Sequence, residues 1–354
     1  MSDLDMEKMG AFQQQLGGYM NAGAAVLMIS IGHQTGLFDT MATLPPSTSG
    51  ELAKAANLNE RYVREWLGAM VAAGIVDYKA TTDAYSLPPE HAAMTTRAAG
   101  PANMARMMQF IPLLATVEEQ IIDKFHNGGG VPYTEYGSFH RIMSEVSGAS
   151  FDAGLVSHML PLVPGMVDAL EAGVRVADVG TGSGHAVNVM AKAFPNSTFV
   201  GFDFSEDAIA VGRAEAESWG LSNATFEVQD AAELDGSRQF DFVTTFDAVH
   251  DQARPREMVK GVHNILKDDG YWLCADICAS SHVGENKDHP IGVFGYTVSC
   301  MHCMSVSLAY DGEGLGAMWG VHKAREIFNE AGFDDITVSN IDIDPSNNYY
   351  VCRK

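Results

Sequence analysis

The chain has 354 residues, 46% of them hydrophobic and 19% charged, which is the make-up of a globular protein with room for two domains. Its formal net charge is −23 and its 22 Lys and Arg residues are scattered without a basic patch, which argues against nucleic acid as a partner. The opening Met-Ser-Asp-Leu-Asp-Met-Glu lacks a basic-then-apolar leader pattern, and five cysteines, an odd number, point to reduced thiols and a cytoplasmic setting.

Residues 1–100 read as a small, mostly helical domain. Gly17 to Ile31 is an Ala/Met-rich helix, and Gly36-Leu37-Phe38-Asp39 closes the next short one. Thr48-Ser49-Gly50-Glu51 is a capping box that starts a helix through Ala56. Asn59 caps a second helix, Glu60 to Ala73, whose Tyr62, Val63, Trp66, Leu67, Met70 and Val71 fall at helical spacing; Gly74 ends it. Two short strands, 75–78 and 84–87, pair across Thr81-Thr82-Asp83, and the whole is a winged helix. Its would-be recognition helix sets Arg61 and Arg64 beside Glu60 and Glu65, so the expected use is dimerisation, as a homodimer, and not DNA binding.

Residues 101–165 form a helical connector rich in methionine (Met104, Met107, Met108, Met143, Met159), interrupted by Gly128-Gly129-Gly130 and followed by Pro132 to Tyr136. Methionine suits adaptable packing, and this segment is the expected active-site lid.

From residue 166 to 354 the pattern is α/β. Strands are expected at 174–179, 198–203, 224–228, 240–246, 270–277, 334–340 and 348–353, with helices between the first five: a doubly wound seven-stranded sheet that binds ligands at its carboxyl edge. Ile291 to Tyr310 has no Asp, Glu, Lys or Arg, a length that would span a bilayer, but its Gly, Ser, Thr, Cys and His residues read instead as a pocket or interface helix, so no membrane contact is expected. Cys300-Met301-His302-Cys303 resembles half of a zinc site, with Cys274 and Cys278, which straddle the end of an expected strand and could be near, as candidates for the other half; a closed site wants four ligands in two paired groups, and buried cysteine is common simply as a small hydrophobe, so no metal is expected.

The chemistry is carried by Val176-Ala177-Asp178-Val179-Gly180-Thr181-Gly182-Ser183-Gly184-His185, a short strand ending in an acid, a glycine turn and then a helix. The glycines let the backbone approach a ligand where a Cβ would clash. The second strand ends at Asp203, 23 residues after Gly180, where a carboxylate accepts from both ribose hydroxyls. After the third strand comes Gln229-Asp230-Ala231, where an acid can accept from an adenine amino group while the backbone N–H of Ala231 meets the ring. After the fourth comes Phe246-Asp247-Ala248-Val249-His250-Asp251. Asp178, two residues before the turn, suits the ammonium of a methionine moiety and would lie badly against a pyrophosphate.

The segments VADVGTGSG, VGFDFSEDAI, VQDAAEL, FDFVTTFDAVHD and GYWLCADI resemble the class I S-adenosylmethionine (SAM)-dependent methyltransferases over roughly residues 165 to 354. The winged helix, VPYTEYGSFHRIMSEVS and FDAVHDQARP further resemble a bacterial two-domain subgroup. The resemblance implies SAM as cofactor and S-adenosylhomocysteine as product. It implies that Asp178, Gly180, Thr181, Gly182, Asp203, Phe204, Asp230, Ala231, Phe246 and Asp247 hold the cofactor. The expected reaction is methyl transfer to an O, S or N nucleophile of a small molecule in an enclosed pocket. His250 is the first candidate base, with Asp251 orienting or replacing it and His140 second; Tyr133, Tyr136 and His302 are candidates for the substrate and lid. Two other readings stand beside this one: a SAM-sensing winged-helix regulator and a catalytically silent subunit.

Overall fold

In a computed structural model, which describes residues 4–237 and 239–354, the chain divides into two compact units, one ending at Pro112 and one running from Leu113 to Lys354. Of the acidic N-terminal stretch, residues 1–3 lie outside the described residues.

The first unit opens with α1 (Met6–Thr35), capped by the Asp5 carboxylate, which accepts from the N–H groups of Glu7 and Lys8. The helix is twice as long as the expected 17–31 segment, because Gly17 and Gly18 weaken a helix without breaking it. Gly36, at φ 74°, ends α1 and starts α2 (Leu37–Thr43); it therefore opens the second helix instead of closing it. In α3 (Ser49–Ala56) the capping box forms as read: Thr48 Oγ1 accepts from Glu51 N–H and Glu51 Oε2 from Thr48 N–H. Asn59 caps α4 (Glu60–Ala72), and β1 (Asp77–Lys79) pairs antiparallel with β2 (Ala84–Ser86). α5 (Pro89–Thr95) follows. Phe38, Leu52, Trp66, Leu67 and Met70 form the core, with Phe38 edge-on to Trp66 at 5.2 Å.

The boundary between the units falls within α6 (Phe110–Ala115). α7 (Glu118–Asn127), the Gly128–Gly130 loop, α8 (Phe139–Gly154) and α9 (Met166–Ala172) lead into the sheet. Its strands are β3 (Arg175–Val179), β4 (Thr198–Asp203), β5 (Ala224–Val228), β6 (Phe240–Phe246), β7 (Leu266–Ile277), β8 (Asp335–Ile341) and β9 (Asp344–Arg353), in spatial order β5-β4-β3-β6-β7-β9-β8. All neighbours are parallel except β9, which runs antiparallel to β7 and β8. α10 (His185–Ala193), α11 (Glu206–Ser218) and α12 (Pro255–Ile265) are crossovers, and α13 (Gly292–Val298), α14 (Met304–Ala309) and α15 (Gly320–Ala331) follow β7. The helix expected between β5 and β6 is absent: a single 3₁₀ turn, Ala231–Glu233, is capped by Asp230 and packs with Leu234 against α12.

Both sheet faces are covered, so the strands read as near-continuous apolar runs. Phe242 packs toward α9, α10 and α11, and its neighbour Val243 toward α12 and α15. Strand order reverses between β3 and β6, which opens a cleft at their carboxyl ends. Residues 291–310 fold as α13, one π-helical turn (Ser299–Cys303) and α14. Among the described residues no single helix is long and apolar enough to cross a membrane, and all five cysteines are free.

Candidate active site

The turn after β3 forms the floor of the cleft. Gly180 and Thr181 both donate their N–H to Phe202 O (2.8 and 2.9 Å), tying the turn to β4. Gly180 sits at φ 74°, and a Cβ there would stand 2.6 Å from the Ala248 Cβ. Gly182 sits at φ 55° with open space where its Cβ would be, so the backbone is bare toward the cleft. Asp178 is 2% exposed and accepts from Thr244 Oγ1 at 2.6 Å; burial pushes its carboxyl up to about 6. Asp203 ends β4 and accepts from Gly182 N–H (2.8 Å) and Ser205 N–H (2.9 Å). Burial raises its pKa, and those donors pull it partly back.

Gln229 and Ala231 line the cleft beyond Asp203, and Phe204 stands at its mouth, 54% exposed. Asp230 is placed off the cleft wall: one carboxylate oxygen caps the 3₁₀ turn through Ala232 N–H and the other takes Arg254 Nη2 at 2.7 Å. At the end of β6, Phe246 lines the cleft and packs against Phe151 of α8 at 4.9 Å. Asp247 follows at φ 50°, its Oδ2 accepting from Asn347 and its buried Oδ1 without a hydrogen-bond partner among the described residues. Burial and then the nearby Asp276 push its carboxyl up to about 7.

α8 supplies the opposite wall. His185 holds it down, reaching Asp152 of α8 through Nε2 (3.0 Å) and Glu215 of α11 through Nδ1 (2.9 Å). Tyr133 and His140 line the cleft with ring centroids 4.8 Å apart; burial lowers the His140 pKa. Tyr136 is buried behind them and donates its hydroxyl to Met301 O. His302 is fully buried, stacked on Phe139 at 3.7 Å, and burial holds its pKa down at about 4.

His250 is 4% exposed and stands between two carboxylates, Nδ1 2.7 Å from Asp276 Oδ1 and Nε2 3.2 Å from Asp251 Oδ1. Burial alone would lower its pKa; Asp276 and then Asp251 outweigh burial and hold it well above the ordinary imidazole value. Conversely, burial would raise Asp251, and the His250 charge brings it down to about 2. Asp251 lines the cleft and His250 lies behind it. Sequence reasoning missed Asp276, Trp319 and Thr244. The sole signal for Asp276 is an acid near the end of the GYWLCADI strand.

The cleft fits an adenosyl ligand with a cationic amino-acid end. It offers a buried carboxylate (Asp178) and a half-buried one (Asp203) at the two sides of a bare glycine turn, an orphaned buried oxygen on Asp247 and the aromatic face of Phe246. Residues 170–342 match a methyltransferase domain family, and residues 23–97 match the Rv2258c-like winged HTH domain. The ubiquinone biosynthesis O-methyltransferase of Ruegeria pomeroyi is 31% identical over 106 residues, 30% of this chain and 42% of that protein. The chain spans about half or less of the length of the curated relatives it matches. Two solved structures share the fold end to end. A Nostoc punctiforme protein described as an O-methyltransferase has a TM-score of 0.71 at 16% identity over 98% of both chains. Human N-acetylserotonin methyltransferase, solved with SAM, has 0.71 at 13% identity over 100% of this chain and 99% of its own. The chain thus carries a SAM-dependent methyltransferase domain over residues 170–342 and, ahead of it, a winged-helix domain over residues 23–97.

Proposed function

We propose that this chain transfers a methyl group from SAM to an O, S or N nucleophile of a small molecule held between α8 and the carboxyl edge of the sheet. The observation that carries the reading is the Asp251–His250–Asp276 chain, which runs from the cleft wall into the buried end of β7. SAM, when bound, supplies a sulfonium methyl already activated for in-line displacement. Asp178 and Asp203 bind and orient it, at the ammonium and at the ribose, while the peptide of Gly182 gives it close approach. Asp247 and Phe246 flank the reacting end. Tyr133, His140 and Phe151 cover the cleft from α8 and its preceding loop and exclude water. Asp251 takes the acceptor's proton and passes it across 3.2 Å to His250 Nε2, while Nδ1 stays bonded to Asp276. Before that step a cationic ligand in the cleft opposes the charge on His250 and sends its Nε2 proton to solvent, so that the neutral ring is the one that receives the acceptor's proton.

The regulator reading is not favoured. On α4, Arg61 pairs with Glu65 (2.5 Å) and Arg64 with Glu60 (2.6 Å), which leaves the recognition surface little positive charge. α1 carries exposed Phe12, Leu16, Tyr19 and Met20, which supports a homodimer through the N-terminal domain, and the free thiols support a cytoplasmic protein. The test follows S-adenosylhomocysteine formation by the purified protein given SAM and fractionated small-molecule extracts. Product that depends on one fraction and falls in His250→Ala supports the reading; calorimetric SAM binding without turnover on any fraction favours the silent-subunit reading.

A further inference from the structure

We propose that His250 Nε2, the Asp251 carboxylate and Cys303 Sγ form a binding site for one soft divalent cation of the zinc type. The three donor atoms lie within 4.8 Å of one another, with Nε2 and the Asp251 oxygen 3.2 Å apart. They come from two elements: the loop after β6 gives His250 and Asp251, and the π-helical turn before α14 gives Cys303. Such turns interrupt regular helices frequently at functional sites. Imidazole, carboxylate and thiolate together suit zinc and not magnesium or calcium, which prefer oxygen alone. Tetrahedral zinc, with bonds of about 2.0–2.3 Å, sets its ligands roughly 3.3–3.8 Å apart, so the widest separation closes by about 1 Å on binding.

The surroundings are those of a metal-binding histidine. A ligating imidazole usually gives its second N–H to a carboxylate that fixes the ring. Here Nδ1 is held by Asp276 Oδ1 at 2.7 Å, and the same oxygen takes Trp319 Nε1 at 2.9 Å and Ile277 N–H at 2.8 Å. The ring is thereby locked with Nε2 facing Asp251. Three protein ligands leave one tetrahedral position open, and Asp251 lines the cleft, which gives the cation a route in. A second observation is independent of the cluster's geometry. His302, beside Cys303 in the chain, is 0% exposed, and neither ring nitrogen has a hydrogen-bond partner among the described residues. Buried polar atoms are rarely left so, and a water on the cation's open position is a partner of the right chemistry. The Cys300-Met301-His302-Cys303 motif is thus used in part: Cys303 joins the cluster and Cys300 does not.

Binding displaces the thiol proton of Cys303 and the proton on Nε2, both to solvent, and forms three metal–ligand bonds. Since Nε2 is also the atom assigned above to the acceptor's proton, cation and proton exclude one another there and occupancy arrests transfer. That consequence rests on the proposed function; the binding itself does not.

The test uses the full chain, stripped with a chelator, incubated with zinc, passed through gel filtration and measured for zinc by plasma mass spectrometry. Cobalt replaces zinc in a parallel sample to report a thiolate-to-cobalt charge-transfer band. The expected result is one zinc per chain and a cobalt band that Cys303→Ser abolishes. Zinc affinity should be at least tenfold weaker in Cys303→Ser and in Asp251→Asn, and unchanged in Cys300→Ser. No retained zinc, cobalt bound without the band, or a folded Cys303→Ser that binds like wild type would overturn the site. If Cys303→Ser does not fold, the wild-type cobalt band still decides. Zinc bound as described with undiminished methyl transfer supports the site and counts against His250 as the base.

Discussion

His250 Nδ1 lies 2.7 Å from Asp276 Oδ1, and the two residues are 4% and 0% exposed. Neither could be buried alone: Asp276 needs a cation and hydrogen-bond donors, and the imidazole needs a carboxylate to stay charged. The pair anchors the loop after β6 to β7 and sets which ring nitrogen faces Asp251.

Removing the ring therefore has two separable effects. His250→Ala leaves Asp276 buried without its cation, which destabilises the fold by about 3–5 kcal/mol, seen as a lower midpoint in chemical denaturation. It also lowers turnover by roughly 10²–10⁴-fold at saturating SAM, the usual worth of a positioned base. A folded His250→Ala protein with turnover within a few-fold of wild type would remove His250 from the proton path.

Two glycines in one turn distinguish fold from ligand. Gly180→Ala meets both a positive φ and the Ala248 Cβ at 2.6 Å, so it loses stability by roughly 2–4 kcal/mol and SAM affinity with it. Gly182→Ala has open space around it and loses only about 1–2 kcal/mol from its backbone conformation. Its SAM affinity, measured by calorimetry on folded protein, should nonetheless fall more than tenfold if the cofactor passes over that peptide. Unchanged affinity would place the ligand elsewhere.

Asp178 sets a pH dependence. Its folded pKa, about 6, is raised above the unfolded carboxylate value near 4, so between these values the folded state holds more protons than the unfolded one. Stability from this group accordingly falls as pH rises from about 4 to 6 and is level above. Ligand binding runs the opposite way, because an ammonium wants the ionised carboxylate. SAM affinity should rise with pH up to about 6 and then flatten, and Asp178→Asn should bind weakly with no rise over that window. An identical pH profile in Asp178→Asn and wild type would contradict the assignment.

The winged helix should not bind DNA. With Arg61 and Arg64 internally paired and a net charge of −23, fluorescence anisotropy with duplex DNA at low salt should show no saturable binding. Saturable, salt-sensitive binding would revive the regulator reading.

What could be read before the structure was what is local. The Thr48 capping box, the Asn59 cap and the seven strands each depend on residues a few positions apart, and they form where expected, except that β7 and β9 each start four residues earlier. The glycine turn and the acids at the ends of β3 and β4 likewise follow from adjacent residues. What could not be read depends on partners distant in the chain. Asp276 is 26 residues from His250, and Arg254, 24 residues beyond Asp230, draws that carboxylate to the cleft's outside. The missing helix before β6 has the same origin: Asp230 and Leu234 find tertiary partners that a helical segment would forgo.

The most direct measurement gives the protein methyl-deuterated SAM and a small-molecule extract and searches for labelled products by mass spectrometry, with Asp203→Ala alongside. Asp203 accepts from Gly182 N–H and holds the turn, and under the proposed function it binds the ribose, so its loss should abolish the product along with SAM binding. A deuterated product made by wild type and absent with Asp203→Ala is the predicted result, and it would also name the acceptor atom. SAM bound by wild type with no labelled product, or a product made equally by Asp203→Ala, would contradict the account.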